Sequence, residues 1–311
     1  MAPVMESGTI DLDDLAGGID LQATLESGQS FCWSREDGGS YERSAVSGGS
    51  AWYTTVLPTD FTGEREVVRV RQADGRLEWE ATTDAVAPLT HLLRLDDDLD
   101  ALQAAAPDDP LIDAALDAYR GLRIVRDPPF ATLIAFICSA QMRVGRIHGM
   151  QRALAREFGS VVDFDGETYH AFPTPEELAA ASEADLRACS LGYRAPYVER
   201  TAELVASDEV RPEDARGKEY EAAREYLKQF VGVGDKVADC VLLFSLGYLE
   251  AVPLDTWIQT AIAEHFPDCD RGSYAETSRA IRREFGGEHA GYVQTHVFHY
   301  LRGGGDAPNG D

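Results

Sequence analysis

The first 85 residues consist of short apolar runs separated by polar and glycine-containing turns, a pattern typical of β-strands. Strands are predicted over Ser30–Trp33, Ala51–Leu57, Val67–Arg71 and Leu77–Ala81. Asp74-Gly75, between the last two strands, is a hairpin signal. Asp20 is placed to cap a short helix, Leu21–Leu25. This part of the chain therefore predicts an antiparallel sheet with one small helix.

After Asp84 the apolar positions recur at helical spacing, and helix is predicted from there to the C-terminal end. The main predicted helices are Phe130–Ala140, Val144–Phe158, Ala195–Ala206, Asp235–Ser245 and Thr256–His265. The predicted fold class is α+β. It has an N-terminal antiparallel β-sheet domain (residues 1–118) and a two-part all-helical body (119–206 and 207–302) that contains a helix-hairpin-helix near 220–246. Residues 303–311 are predicted to be a disordered tail.

The chain is strongly acidic, because its 311 residues carry 54 acidic side chains against 28 basic ones, a net charge of −26. Such a balance argues against a nucleic-acid ligand at ordinary ionic strength. It is also consistent with a proteome adapted to very high salt. In about 1 M salt the Debye length is only about 3 Å, so an acidic surface hardly repels DNA. A halophilic archaeal host is therefore a hypothesis that the salt dependence of activity tests.

The charge is also uneven along the chain. Residues 1–118 hold 7 bases against 24 acids, a net of −17, whereas residues 119–160 hold seven arginines against two acids, a net of +5. A basic stretch is often only a solvated helix face. In so acidic a chain it also indicates a surface for a polyanion.

Composition excludes several classes of protein. No apolar run reaches membrane-spanning length, and the acidic N-terminus is unlike a signal peptide, so we expect a cytoplasmic monomer with no membrane partner. The five cysteines are odd in number, far apart and without a CxxC motif. Neither a disulfide framework nor a zinc or iron–sulfur site is indicated.

The segment FVGVG (230–234) joins two predicted helices and is the first candidate site. Gly232 and Gly234 permit positive φ and a close approach of the backbone to phosphate. Together with the start of the next helix, the free amides there form an anion site. The pattern also fits a tight helix–helix turn or part of a nucleotide-binding loop, although neither GxGxxG nor GxxxxGK is complete.

Lys236 and Asp255 are the candidate reactive pair. Asp235 is predicted to cap the second helix of the hairpin, which puts Lys236 in the first turn, where the helix dipole disfavours a cation. Such a lysine is either a phosphate contact or a Schiff-base nucleophile. Asp255 is placed to cap the helix Thr256–His265, and an ionised capping carboxylate can also stabilise positive charge on a sugar ring. Cys240 shares the helix face of Lys236 and is either a buried structural thiol or a pocket wall.

Around these residues the chain closely resembles the helix-hairpin-helix DNA glycosylases, and among them the 8-oxoguanine DNA glycosylase/lyases of the eukaryotic type. The resemblance spans nearly the whole chain, in family order. Its blocks are SGQSF (27–31) with Trp33, GLRI (121–124), FICS (136–139), RI (146–147), GM (149–150), LGYRA (191–195), GDKVADC (234–240), VPLD (252–255) and AGYVQ (290–294) with Phe298.

The resemblance implies an enzyme that binds duplex DNA containing 8-oxoguanine, flips the damaged nucleotide out of the stack and removes the base. Lys236 matches the nucleophile that attacks C1′ and forms a Schiff base, after which β-elimination nicks the strand. Asp255 matches the catalytic aspartate. No cofactor is implied for catalysis, whereas the main-chain carbonyls of Lys228, Phe230 and Val233 match a structural cation site in the hairpin.

The resemblance also implies a pocket for the base. Gly28 matches the glycine whose carbonyl accepts the N7–H that 8-oxoguanine has and guanine lacks. Cys240 and Phe298 match two walls that sandwich the base, although Phe298 alone would be interpreted as a core aromatic. Gln294 matches the residue on the Watson–Crick edge, and Pro253 lies in the same pocket.

The DNA-contact positions match less closely. Gln141-Met142-Arg143 stands where the family has asparagines that fill the hole in the duplex, and Trp257 stands in place of a phosphate-binding histidine. Arg146 and Arg194 match the arginines at the orphaned cytosine, with Tyr193 as a wedge. The residues implied in DNA binding are Gln141, Arg143, Arg146, Tyr193, Arg194, Gly232 and Gly234. We expect Arg143, Arg146 and Arg152 of the basic stretch to lie against the DNA.

Two other functions stay open from the sequence. A monofunctional alkyl-base glycosylase of the same superfamily needs the aspartate but no lysine, so Lys236 argues against it. A non-catalytic DNA-binding protein would have no use for Lys236 and Asp255 together. The iron–sulfur branch of the superfamily needs four closely spaced cysteines after the catalytic helix, and only Cys269 is there.

Overall fold

The computed structural model describes residues 5–41 and 48–305. An antiparallel five-stranded sheet in the order β1-β5-β4-β3-β2 forms the N-terminal part. Its strands are β1 (Glu6–Asp11), β2 (Ser34–Arg35), β3 (Tyr53–Leu57), β4 (Glu66–Ala73) and β5 (Arg76–Ala81). The predicted hairpin is confirmed, because Asp74 and Gly75 both have positive φ, 48° and 76°, as a two-residue type I′ turn requires.

The sequence places three of the strands correctly and misplaces the sheet edges. Ser30–Trp33 is not a strand, and only the two residues after it pair with β3. Its polar groups instead bond across to the helical body: Ser30 Oγ donates to Asp127 Oδ2 at 2.6 Å. Strand β1 was not predicted, because it lies on a sheet edge and buries no residue completely, which leaves little apolar alternation.

Helices make up most of the remaining described chain. They are α1 (Leu21–Glu26), α2 (Thr59–Thr62), α3 (Val86–Leu92), α4 (Leu99–Ala104), α5 (Pro110–Ala118), α6 (Pro129–Cys138), α7 (Val144–Phe158), α8 (Pro175–Ala179), α9 (Glu183–Ala188), α10 (Ala195–Ala206), α11 (Tyr220–Leu227), α12 (Asp235–Val241), α13 (Thr256–His265), α14 (Tyr274–Glu284) and α15 (Ala290–Arg302). After α12 the chain widens into a π-helical turn, Leu242–Leu246.

The α+β fold class is confirmed, and so are the predicted bounds of α7, α10 and α13. Asp20 caps α1 as predicted, since its carboxylate accepts from the Ala23 amide at 2.8 Å. The prediction of helix throughout the C-terminal part is wrong at one place, where β6 (Val161–Phe164) and β7 (Glu167–His170) form an antiparallel hairpin. Its turn, Asp165-Gly166, has positive φ at both residues.

Two separate apolar cores hold the described residues together, and they do not follow the predicted domain boundaries. The first joins the sheet to α6–α12. The second consists of α5, α13, α14 and α15 together with Val252 and Leu254. Helix α5 lies inside the segment predicted as the sheet domain, yet it packs against α15. The hairpin helices α11 and α12, grouped by prediction with the C-terminal part, pack into the first core.

The predicted C-terminal tail begins with a structured turn. The amides of Gly303, Gly304 and Gly305 return to carbonyls in the last turn of α15. The rest of the tail, residues 306–311, lies outside the described residues.

Candidate active site

Helix α12 presents Lys236 in its first turn, one position later than the sequence suggested. The helix is capped by Gly234, whose backbone is extended (φ −100°, ψ −175°), so Asp235 is the first helical residue and the predicted Asp235 cap is wrong. The Asp235 carboxylate instead lies 3.1 Å from Nζ of Lys228, just after α11, and 3.8 Å from Nε of Arg224, on α11.

The C-terminal end of α6 holds the amine of Lys236. Its Nζ donates to Ser139 Oγ at 2.8 Å, and Ser139 Oγ in turn donates to the Phe136 carbonyl at 2.6 Å. The same Nζ lies 5.1 Å from the centre of the Phe136 ring, within cation–π range. The side chain is therefore fixed by an element 97 residues away in the sequence. Reasoning from the residues had assigned no role to Ser139.

Asp255 occupies the capping position of α13 as predicted, with Oδ1 accepting from the Ile258 amide at 2.7 Å. The residues before it, Pro253 and Leu254, are buried, and Leu254 belongs to the second core. The carboxylate is thus presented from a packed stretch of chain at a helix N-terminus.

Cys240 lies one turn beyond Lys236 and is almost completely buried. Burial raises the pKa of the Cys240 thiol to about 12, although the nearby Lys236 charge pulls it down. The charge of Asp255 acts on the same thiol in the raising direction. Lys236 and Asp255 therefore both lie within electrostatic range of Cys240. A thiol with so high a pKa stays protonated at neutral pH and can act as a pocket wall, not as a nucleophile.

Helix α15 contributes Gln294 and Phe298, which are both buried and lie one turn apart. The Gln294 Oε1 atom is buried without a hydrogen-bond partner among the described residues, so this acceptor is available to a ligand. The Phe298 ring packs edge-on against Trp257, with centroids 5.8 Å apart. Trp257, at the start of α13, remains 39% exposed.

Gly28 lies in a turn that only glycine adopts readily, with φ +96°. A Cβ there would meet Val144 Cγ2 at 3.3 Å and Arg302 Nη1 at 3.5 Å. Arg302, the last residue of α15, donates to the Ser27 carbonyl at 3.3 Å, and its guanidinium lies 5.3 Å from the centre of the Trp257 ring. Arg302 thus ties the Gly28 turn to the helix of Phe298, a link that sequence reasoning missed.

The predicted DNA contacts form two groups. Gln141, Arg143 and Arg146 are exposed around the start of α7, and Gln141 has the unusual φ of +54°. Tyr193 is 52% exposed, as a wedge must be. Arg194 differs, because it is buried, lies 4.3 Å from the Tyr193 ring and donates to the Ala140 carbonyl. In this conformation Arg194 holds the Gln141 turn against the Tyr193 turn.

The two glycines of the hairpin have different roles. Gly232 has φ +83°, and a Cβ there would lie 2.7 Å from Tyr197 Cδ2, so the turn requires glycine. Gly234 has an extended backbone and open space around its Cα, so the positive φ expected there is wrong. Tyr197 also lies 6.3 Å from the Tyr193 ring, which connects the hairpin to the predicted wedge.

The basic stretch divides between binding surface and interior. Arg123 is fully buried and donates to four backbone carbonyls, which makes it a structural residue. Arg152 and Arg156 line a cavity of about 1180 Å³ between β3, β4 and α7. Arg152 lies about 120° around the helix from Arg146, so the two arginines do not share one helix face, and a DNA contact by the exposed Arg152 stays a prediction. Arg143 and Arg146 are the exposed arginines of this stretch at the start of α7.

Sequence and fold together place the chain in a class. The chain belongs to the HhH-GPD superfamily of base excision DNA repair proteins, whose sequence profile matches residues 134–286. Within that superfamily, residues 14–133 match the profile of the 8-oxoguanine DNA glycosylase N-terminal domain.

The similarity to individual proteins extends over most of the chain. The chain is 31% identical to a probable N-glycosylase/DNA lyase of Methanothermobacter thermautotrophicus, covering 93% of this chain and 95% of that one. It is 34% identical to the N-glycosylase/DNA lyase of Saccharomyces cerevisiae, over 76% and 66% of the two chains. A Clostridium acetobutylicum 8-oxoguanine glycosylase/lyase, solved with duplex DNA containing cytosine opposite 8-oxoG, is 25% identical with a TM-score of 0.81, covering 96% and 97%.

Proposed function

We propose that this protein is a bifunctional DNA glycosylase/lyase that removes 8-oxoguanine from duplex DNA and nicks the strand at the resulting site. One observation carries the proposal. A lysine amine anchored by Ser139 and a carboxylate fixed by its helix cap, Asp255, both act electrostatically on the buried Cys240 thiol. The family membership and the full-length similarity to N-glycosylase/DNA lyases support the same activity.

In the first step the neutral Lys236 amine attacks C1′ of the flipped nucleotide. The new N–C1′ bond forms as the C1′–N9 bond breaks, and the electron pair and one proton leave with the base. Asp255 stabilises the positive charge that develops on the sugar ring, as carboxylates do in glycosidic cleavage. Ser139 Oγ, which accepts from Lys236 Nζ at 2.8 Å, orients the lone pair.

In the second step the C1′–O4′ bond opens. Its electron pair goes to O4′, which takes up a proton and becomes a hydroxyl, and the nitrogen lone pair forms a protonated imine between C1′ and Lys236. The imine makes the 2′ hydrogen acidic. Loss of that proton then expels the 3′ phosphate by β-elimination. Each step uses only groups of the chain and the substrate. No cofactor is therefore needed for the chemistry.

The base pocket is part of the same proposal. We propose that Cys240, from the first core, and Phe298, from the second, hold the base between them, with Pro253 at its edge. The unpartnered Gln294 Oε1 faces a donor on the Watson–Crick edge. The carbonyl of Gly28 accepts the N7–H that distinguishes 8-oxoguanine from guanine, and the Arg302 contact to Ser27 holds that turn.

The duplex lies across two surfaces, the hairpin with Gly232 and Gly234 and the exposed residues Gln141, Arg143 and Arg146. Tyr193 fills the space of the flipped nucleotide, and Arg194 supports it from below. No helix among the described residues is long and apolar enough to cross a membrane. We infer that the protein works as a monomer in the compartment that holds the DNA, the cytoplasm in a prokaryotic host.

A structural cation in the hairpin is a further part of the proposal. Carbonyl oxygens suit hard monovalent or divalent cations. The Phe230 carbonyl accepts one hydrogen bond, from Val233 N at 3.1 Å, and a carbonyl has a second lone pair to offer. The carbonyls of Lys228 and Val233 complete the proposed set. No cluster of three His, Cys, Asp or Glu side chains suited to a metal occurs in the part of the chain that the structure describes, so the main chain would hold this ion.

The test uses duplexes with 8-oxoguanine opposite each of the four bases, with and without borohydride. The native protein should nick the lesion strand and give a covalent complex on reduction. Lys236→Gln should lose both while its Kd for the lesion duplex changes by less than about threefold, because glutamine keeps a polar side chain of nearly the same length and removes the amine. Unchanged strand cleavage in that variant would rule out the Lys236 assignment. Base release without trapping by the native protein would favour a monofunctional glycosylase.

A further inference from the structure

A single tyrosine hydroxyl joins the two halves of the proposed active site. Tyr274 Oη donates to Asp239 Oδ2 at 2.7 Å and accepts from the Leu254 amide at 3.1 Å. Asp239 lies three residues after Lys236 on α12, and Leu254 directly precedes Asp255. The helix that carries Lys236 is thereby connected to the segment that carries Asp255.

This connection crosses the boundary between the two apolar cores. Helix α12 packs in the first core, whereas Leu254 belongs to the second and Tyr274 packs against it. Apolar contacts are non-directional and leave two packed surfaces free to shift slightly against each other. Hydrogen bonds are directional, so the Asp239–Tyr274–Leu254 contacts fix the relative position of the two surfaces at this point.

The acceptor in this connection is itself held firmly. Asp239 is fully buried, and its other oxygen accepts from Tyr220 Oη at 2.7 Å. Burial raises the pKa of Asp239 to about 7, while the two tyrosine hydroxyls and Arg224, whose Nη1 lies 3.8 Å from Oδ2, act in the opposite direction. Tyr274 Oη and Arg224 Nη1 both face Oδ2, so this oxygen stays directed at Tyr274 whether or not Oδ1 has a donor.

We propose that Asp239 and Tyr274 are positioning residues that hold the Asp255 carboxylate at a fixed place relative to the Lys236 amine. The inference rests on the proposed glycosylase function. Neither residue touches the substrate, and their effect acts through the Leu254–Asp255 segment. A displacement of about 1 Å in such a site costs on the order of 100-fold in rate.

The proposal predicts an uneven effect on the two activities. Base excision needs Lys236 and the charge of Asp255 together, because positive charge develops on the sugar as the base leaves. At a preformed abasic site no base has to leave, so Schiff-base formation depends mainly on Lys236. That lysine keeps its own anchor, Ser139, when Tyr274 is changed.

The experiment compares two tyrosines that donate to the same carboxyl group. Tyr274→Phe removes the hydroxyl that contacts Leu254, and Tyr220→Phe removes the matched hydroxyl on α11, which makes no contact with that segment. Tyr274→Phe should lower single-turnover excision of 8-oxoguanine by about 10- to 100-fold. Its Kd for the lesion duplex and its borohydride trapping on abasic duplex should stay within about threefold of the native values. In Tyr220→Phe the excision rate, the Kd and the abasic trapping should all stay within that limit.

Other outcomes would overturn the proposal. Equal losses of excision in the two variants, or a parallel loss of excision and abasic trapping in Tyr274→Phe, would mean that the network only stabilises the fold. Asp239→Asn is the second variant if Tyr274→Phe does not fold. Asp239→Asn should lose excision activity, but less than Tyr274→Phe. Unchanged excision in folded Asp239→Asn contradicts the inference. A native protein that excises no 8-oxoguanine refutes the proposed function itself, a different failure.

Discussion

At the scale of single residues, one side chain can have two roles that mutagenesis separates. Asp255 caps α13 through the Ile258 amide, and we propose that its charge also assists base departure. The capping role could be derived from sequence because it involves a donor three residues away. The electrostatic link of Asp255 to Cys240 and Lys236 could not be derived from sequence, because it depends on how the two apolar cores pack together.

Asp255→Asn should distinguish the two roles. Asparagine caps a helix as well as aspartate does, so the unfolding free energy should change by less than about 0.5 kcal/mol. Excision should nevertheless fall by about 100-fold or more, because the charge is lost. Single-turnover excision and urea unfolding measured on the same preparation check this. A large loss of stability with little loss of excision would leave Asp255 as a cap only.

At the scale of elements, α15 combines a pocket face with a buried histidine. Gln294 and Phe298 line the proposed pocket, while His296, between them in sequence, is 2% exposed and its Nδ1 lies 2.9 Å from the Tyr292 carbonyl. Burial lowers the pKa of His296 to about 4, and its backbone hydrogen bonds offset part of the effect. The folded protein therefore keeps His296 neutral where the unfolded chain, near its ordinary value of about 6.5, is protonated.

The sign of the resulting pH dependence follows directly. The contribution of neutral His296 to stability is complete above about pH 6.5 and is lost as the pH falls from there through about 4, amounting to about 3 kcal/mol. Guanidinium unfolding of the native protein and of His296→Asn, at pH 4.5 and 7, should give a smaller drop in the variant. Buried acids such as Asp127 and Asp239, whose pKa burial raises to about 7, act in the opposite direction, and the comparison subtracts them. An NMR titration of His296 near pH 6.5 would contradict the assignment.

At the scale of the whole molecule, the net charge of −26 opposes any approach to DNA. Five of the seven arginines of the basic stretch are exposed, and only Arg143 and Arg146 lie on the proposed binding surface. Local contacts must therefore hold the duplex against a general repulsion. That repulsion weakens as the Debye length falls from about 10 Å at 0.1 M to about 3 Å at 1 M salt.

Activity should consequently rise with salt over this range, the reverse of the counterion-release behaviour of ordinary DNA-binding proteins. Excision under subsaturating conditions, measured from 0.1 to about 2 M KCl, should increase several-fold. Circular dichroism at each concentration separates this effect from a change in folding. Full activity at 0.1 M that declines with salt would remove the argument for a high-salt host.

The sequence by itself determined the features that depend on neighbouring residues. The periodicity of α7, α10 and α13, the Asp74-Gly75 turn and the Asp20 and Asp255 caps all arise from interactions within a few positions, and all are found as predicted. The position of Lys236 in the first turn of its helix is of the same kind. Errors in the local prediction occurred at the β6–β7 hairpin, and also at sheet edges and at the α12 cap, where polar partners elsewhere in the chain compete for the same groups.

Tertiary structure alone decided which distant residues meet. Ser139 anchors Lys236 across 97 positions, Arg302 reaches Ser27 across 275, and Tyr274 reaches Asp239 across 35. Tertiary packing also determines that Arg194 is buried and that Arg152 lines a cavity. Such contacts depend on how two apolar cores pack together, and the free energy of that packing is not carried by any single stretch of chain.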